Sequence, residues 1–233
     1  MNQAIAIIPA RGGSKRIPRK NIKDFLGKPI ISYAIEAALN SKIFDTVMVS
    51  TDDEEIALTA KKYGAEIPFT RRGDLSSDTA MTVPVLIDTL NYYKKTGRAF
   101  IYGCCIYPCS PLITPKLIKE GMDMLIDSGV GSVVPMVKFS YPPQRGFSIK
   151  NGKAVMIFPE NYSARTQDLE PIYHDAGQFY CFREKSLIAE NTVFCVDTIP
   201  LVLDETFVQD IDTEEDWKLA EMKYKLFKRC NNV

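Results

Sequence analysis

The chain has 233 residues, 45% of them hydrophobic and 25% charged, with 29 basic against 29 acidic side chains. Such a balance excludes disordered, collagen-like and coiled-coil chains, and zero net charge argues against a nucleic acid or an anionic membrane surface as partner. No apolar run approaches the ~20 residues that span a bilayer, and the basic residues follow the first apolar run where a signal peptide has them before it, so a cytoplasmic protein is expected.

In chain order, the continuous apolar run from Ala4 to Ile8 predicts a strand buried on both faces of a parallel sheet. A glycine-rich basic loop follows, then Ile31, Ala34, Ile35 and Ala38 at helical spacing. Thr46 to Val49 predicts a second strand, and Thr51 and Glu54 beyond it have the spacing of a capping box. The helix this opens carries Ile56, Ala60 and Tyr63 on one side and stops at Gly64. Val83, Leu86, Ile87 and Leu90 predict another helix, with Pro84 in its first turn. Phe100 to Ile106 reads as a central strand, Leu117 to Ile126 as a helix and Val130 to Val137 as a strand. From 139 to 171 the periodicity weakens among prolines and polar turns, which predicts a small inserted β-rich arm. Gly177 to Phe182 and Pro200 to Leu203 supply further strands, and Thr213 to Phe227 a closing helix around Trp217. Strands alternating with helices predict one α/β domain with a mostly parallel sheet.

The cysteines, six in all, sit mostly in apolar strand-like segments, which predicts reduced, buried thiols. There is no CxxC pair, and His174 is the sole histidine, so a Cys/His metal site is not expected. Spacing alone leaves a Cys–His nucleophile pair open, although nothing local supports it.

The loop Pro9 to Asn21 concentrates Arg11, Lys15, Arg16, Arg19 and Lys20, with no acid before Asp24. A solvated basic turn is the bland reading. Gly12 and Gly13 favour another, because they let backbone amides approach an anion at the C-terminal edge of a strand, where open α/β sheets bind ligands. Neither GxxxxGK[ST] nor GxGxxG is present.

The string Ile8-Pro9-Ala10-Arg11-Gly12-Gly13-Ser14-Lys15, with Lys20-Asn21 after it, resembles the signature of cytidylyltransferases that activate nine-carbon acidic sugars. The resemblance runs over nearly the whole chain. Ser50-Thr51-Asp52, Arg71 with Ser77-Asp78-Thr79-Ala80, Ser110-Pro111-Leu112 and Asp210-Ile211-Asp212-Thr213 all match its pattern. It implies a Rossmann-like sheet flanked by helices, and transfer of CMP from CTP to the sugar's anomeric hydroxyl with Mg2+ and release of pyrophosphate. Carried over by position, Arg11, Lys15 and Lys20 form the catalytic cradle around the triphosphate. Ala10, Gly12, Gly13, Ser14, Asn21, Arg71, Ala80 and Thr82 make further CTP contacts, Arg71 at the base and Thr82 near the ribose. Asp210 and Asp212 hold the metal, although Asp212 or Thr213 could equally cap the last helix. Arg16 and Arg19 read as solvated.

The middle of the chain departs from the sialic acid enzymes, with Tyr107 where they carry glutamine and Ala176-Gly177 in place of Asn-Gly. Tyr141 to Arg145, Arg165 to Leu169 and Tyr173 to Tyr180 are similar instead to the branch that acts on pseudaminic acid. That implies sugar contacts from Gln144, Arg145, Arg165, His174, Gln178 and Tyr180, with the arginines suited to a carboxylate. A lone histidine such as His174 has a structural reading as well. The arm at 139–171 resembles the family's dimerisation arm and implies a homodimer. Two alternatives remain: the same transfer to another acidic sugar (sialic, legionaminic or keto-deoxy-octonic acid), or a nucleotide-binding module without turnover, against which stands the presence of every cradle and metal residue.

Overall fold

The computed structural model describes residues 3–77 and 80–231. Strand β1 (Ala4–Pro9) is buried on both faces, Ala4, Ala6 and Ile8 entering one core and Ile5 and Ile7 the other. The short strands β2 (Asp24–Phe25) and β3 (Lys28–Pro29) pair with each other beyond the basic loop. Then come α1 (Ile31–Ser41), β4 (Thr46–Ser50), α2 (Glu54–Lys62), α3 (Thr82–Lys95), β5 (Tyr102–Ile106), α4 (Pro115–Ser128) and β6 (Ser132–Lys138). The arm follows, with the antiparallel hairpin of β7 (Phe147–Lys150) and β8 (Lys153–Met156). The chain returns through β9 (Tyr173–Asp175), β10 (Phe179–Arg183), α5 (Glu184–Glu190), β11 (Ile199–Leu203) and α6 (Glu214–Asn231).

The main sheet has the order β11-β6-β10-β5-β1-β4, with β9 also pairing β6. β4, β1, β5, β6 and β11 run the same way, and β9 and β10 run against them. The reversal follows from the arm. The chain leaves β6 at its C-terminal end, makes the arm there, and re-enters the sheet from that end. The turn at 176–178 is thereby delivered to the edge where β1, β4 and β5 also finish. The Rossmann-like, mostly parallel architecture expected from the sequence is present.

Side chains of α1, α2 and α4 fill the core on one face, and those of α3 and α5 the core on the other. A third, smaller cluster joins Ile17, Phe25, Ile30, Tyr33, Ile211, Trp217 and Ala220. Its aromatic rings meet edge to face, Phe25 lying 5.5 Å from both Tyr33 and Trp217. This cluster fastens the basic loop to the segment that leads into α6. Among the described residues no helix is long and apolar enough to cross a membrane.

One helix cap differs from expectation, and another decides between the two residues expected to provide it. α2 starts at Glu54, so Asp53 is its cap, accepting the Ile56 N–H at 2.9 Å, while Thr51 accepts from the Asp53 N–H at 3.2 Å. The Thr51–Glu54 capping box is therefore not formed, because the helix begins too late for Thr51 to reach it. At α6, Thr213 Oγ1 accepts the Asp216 N–H at 3.2 Å, and Asp216 accepts the Thr213 N–H at 2.8 Å. This reciprocal cap leaves the side chain of Asp212 out of helix capping.

Gly103 in β5 packs directly beneath the Phe182 ring, with no room for a Cβ. Gly103→Ala is expected to cost ~1–3 kcal/mol by overpacking. A thermal melt should show this as a fall of roughly 2–12 °C, with turnover per folded molecule retained.

Candidate active site

The C-terminal ends of β1 and β5 open onto a cleft of about 510 Å³. Arg11, Ser14, Lys15, Lys20, Asn21, Arg71, Ala80, Thr82, Asp210 and Asp212 all line it. Ala10, Gly12 and Gly13 are not among its lining residues. Ala10 is buried and donates its N–H to the Ser50 carbonyl at 2.9 Å. The Gly12 N–H donates to Asp52 Oδ1 at 3.0 Å, so that amide is engaged by a carboxylate. A Cβ on Gly12 would lie 2.7 Å from Asp53 Oδ2, and this close approach is why glycine stands there. Gly13 is open to solvent. Asp78 and Thr79, in the expected base-and-ribose segment, lie outside the described residues.

The basic loop is held by its own polar contacts. Asn21, only 6% exposed, donates Nδ2 to the Arg11 carbonyl at 2.8 Å and accepts the Cys109 thiol at 3.3 Å. Arg11 donates to the Ser77 carbonyl at 3.0 Å. Lys20 Nζ donates to the Ile211 carbonyl at 2.6 Å and lies 3.6 Å from Asp212 Oδ1. Arg16 and Arg19, expected to be merely solvated, are both ion-paired. Arg16 reaches Asp212 at 2.7 Å, and Arg19 binds Asp53 with two nitrogens and Glu55 with one. Arg16 lines the cleft, whereas Arg19 is absent from its lining.

Arg71 is 6% exposed, its guanidinium anchored to the Ser50 hydroxyl at 3.1 Å and to the Ser50 carbonyl. Burial pulls its pKa down, with Asp52 opposing. At the other side, burial and then the like charge of Asp212 push the Asp210 carboxyl above the usual carboxylate range, with Lys20 opposing. Gly177, at φ +63°, packs on Asp210; a Cβ there would lie 3.6 Å from its Cγ. Among the described residues no group of three or more His, Cys, Asp or Glu could enclose a metal. The acids offered are a pair, whose mutual repulsion a divalent cation would relieve.

Tyr107 and Cys109 also line the cleft, although no motif in the chain marks either as a site residue. The one signal at Tyr107 is its place where the sialic acid enzymes carry glutamine. The Tyr107 hydroxyl lies 3.4 Å from Thr82 Oγ1, and its ring meets Tyr180 edge-on at 5.4 Å. Burial pushes the Cys109 thiol up to about 12, which keeps it protonated. His174 bonds the Asp175 carbonyl and packs on Phe139, so Cys109 and His174 form no nucleophile pair.

The expected sugar contacts fall in two groups, neither lining the cleft of this chain. Gln178 and Tyr180 are buried behind it: Gln178 donates to the Phe207 carbonyl at 3.5 Å and Tyr180 to Asp175 Oδ2 at 2.6 Å. Gln144, Arg145, Arg165 and His174 lie on the arm or its return strand. Gln144 donates to the Glu170 carbonyl at 2.7 Å and Arg165 pairs with Asp168 at 2.8 Å, while Arg145 is exposed.

A mostly parallel sheet that ends in a cation-rich loop, a buried arginine and an acid pair defines a nucleotide-binding α/β protein built for a polyphosphate ligand. The chain belongs to the cytidylyltransferase family, whose profile matches residues 5–206. It is 43% identical to the pseudaminic acid cytidylyltransferase of Campylobacter jejuni, over 95% of this chain and 96% of that one. It is 35% identical to the CMP-N,N'-diacetyllegionaminic acid synthase of Legionella pneumophila, again over 95% and 96%. The solved structure of a CMP:2-keto-3-deoxy-manno-octonic acid synthetase complexed with CTP shares the fold, with a TM-score of 0.67 at 18% identity over 97% of this chain and 99% of that one. The family transfers CMP from CTP to acidic sugars, and this chain is an enzyme of that kind.

Proposed function

We propose that the protein transfers CMP from CTP to the anomeric hydroxyl of pseudaminic acid and releases pyrophosphate. The observation that carries the nucleotide half is the meeting of Lys15, Lys20, Arg71, Asp210 and Asp212 in one cleft. The sugar half rests on the identity to the Campylobacter jejuni enzyme. In this reading the anomeric hydroxyl gives up its proton to solvent and its oxygen bonds to the α-phosphorus, as the bond from that phosphorus to the oxygen bridging to the β-phosphate breaks. Positioning and charge stabilisation can supply the catalysis without a protein nucleophile. Arg11, Lys15 and Lys20 take the triphosphate, with Ser14 and Asn21 beside them and Ala10, Gly12 and Gly13 shaping the turn. Arg71 and Ala80 face the base, and Thr82 the ribose.

Asp210 and Asp212 would hold Mg2+, a hard cation that takes one or two carboxylates and completes its shell with water and phosphate oxygens. When bound, the ion neutralises charge on the phosphates and the departing pyrophosphate. The donor set fits: two carboxylates beside the polyphosphate cradle, one of them raised in pKa by burial and then by the charge of the other.

The reading includes a homodimer joined by the arm at 139–171, in the cytoplasm where CTP is made available. Phe147, Ile149 and Ile157 on the arm are 60%, 81% and 53% exposed, apolar area that a second copy would cover. The arm's arginines Arg145 and Arg165, with Gln144 and His174, would then serve the sugar at a site shared between copies.

Pyrophosphate release from CTP and Mg2+, with pseudaminic, legionaminic and sialic acids in parallel, tests the reaction and the substrate together. Release with pseudaminic acid at least tenfold faster than with the others is expected. Preference for legionaminic acid would instead favour the second reading, which the identity to the Legionella pneumophila enzyme supports. Silence with all three would remove the transferase assignment to these sugars.

A further inference from the structure

Arg16 stands in the cleft wall beside Lys15 and Lys20, and its Nη2 donates to Asp212 Oδ1 at 2.7 Å. The side chains are 66% and 41% exposed, so the pair is weak as a source of stability. Its placement is nevertheless set by the backbone. Ile17, next to Arg16, and Ile211, next to Asp212, are both buried in the aromatic cluster under α6. The Asp212 N–H is held in turn by Asp216 at 3.1 Å. Arg16 and Asp212 therefore face each other across a fixed gap whatever each side chain binds. Lys20 is the second cation at Asp212, but its closest contact is the Ile211 carbonyl. Arg16 thus supplies the near positive charge on the same carboxylate oxygen, and that charge opposes a dication there.

We propose that Arg16 is an exchangeable counterion. It occupies Asp212 in the nucleotide-free enzyme, and it passes to phosphate oxygens of the incoming nucleoside triphosphate as a divalent cation takes the carboxylate. This rests on the assignment of Asp210 and Asp212 as the cation site. A guanidinium matches phosphate geometry with two parallel hydrogen bonds, so the transfer replaces a single carboxylate contact with a stronger one. Cation and nucleotide then favour each other's binding, because each provides for the group the other displaces.

The test measures Mn2+ binding without nucleotide, by electron paramagnetic resonance of the free ion, and Mg·CTP binding by calorimetry. In Arg16→Ala, Mn2+ alone should bind about three- to fivefold tighter, the size of an exposed ion pair. Mg·CTP should bind about tenfold weaker, the size of a lost charged hydrogen bond. Arg16→Lys, which keeps the charge and loses the fork, should fall between. Lys23→Ala removes the same charge from the nearby Lys23–Glu214 pair, which spans 2.7 Å, and should change neither affinity. An unchanged Mn2+ affinity in Arg16→Ala, a shift matched by Lys23→Ala, or an unchanged Mg·CTP affinity would each overturn the exchange. Loss of Mn2+ binding in Asp212→Asn keeps the cation site standing even then. Mn2+ binding that survives both Asp210→Asn and Asp212→Asn would remove the cation site, and the exchange with it.

Discussion

Lys20→Ala is expected to lower kcat by about 10²–10³-fold, the usual cost of deleting one preorganised charge at a transition state. Lys20 is suited to that role by where it is held. Its backbone N–H donates to the Ile17 carbonyl at 3.2 Å, inside a turn pinned by the burial of Ile17. Its ammonium is held by the Ile211 carbonyl at the mouth of the acid pair. A donor fixed in this way needs little reorganisation when charge develops on a departing pyrophosphate. The fold should persist, because the substitution removes only one hydrogen bond to a carbonyl and one partly exposed ion pair, the latter worth no more than ~1 kcal/mol. The measurement is kcat at saturating CTP, with circular dichroism to check folding. Turnover within threefold of wild type would remove Lys20 from the cradle.

Asp210→Asn should abolish more than about 99% of turnover, since even an outer partner of a metal ligand is worth 10–100-fold. The same variant should melt no lower than wild type when no divalent cation is added. Burial and the charge of Asp212 make the ionised Asp210 carboxylate the costly form, and the amide removes that charge while keeping an oxygen for the Ile211 N–H. Mg2+ should raise the melting temperature of the wild type and leave that of Asp210→Asn unmoved. A variant that keeps the wild-type Mg2+ requirement would discard Asp210 as a ligand. One that unfolds would show that the carboxylate is structural.

The sheet and the basic loop were legible in the chain because their signals are local. Ala4 to Ile8 is apolar throughout, which only a doubly buried strand requires, and both faces of β1 are indeed covered. Arg11, Lys15 and Lys20 stand in the same short loop, so their convergence needed no distant element. The direction of β10 was not legible, since alternation and burial look alike in either sense. It was the arm, returning the chain to the cleft end of β6, that reversed it. The ion pairs of Arg16 and Arg19 were hidden for a similar reason. A charge run carries no mark of which acids fold back against it, and Asp53 and Asp212 lie 34 and 196 positions from the arginines they pair with.

The sequence by itself determined the family, through the string Ile8 to Lys15 and its companion motifs, and that resemblance implied the kind of ligand and the roles of the cations, the glycines and the spaced pair of aspartates. Only the tertiary structure decided which of them meet. Lys20 and Ile211 are 191 positions apart, and they touch because Ile17, Ile211 and Trp217 share one buried cluster. It also separated the expected sugar residues, burying Gln178 and Tyr180 behind the cleft and carrying Arg145 and Arg165 out on the arm. Burial and long-range packing belong to the folded chain as a whole, and no window of neighbouring residues contains them.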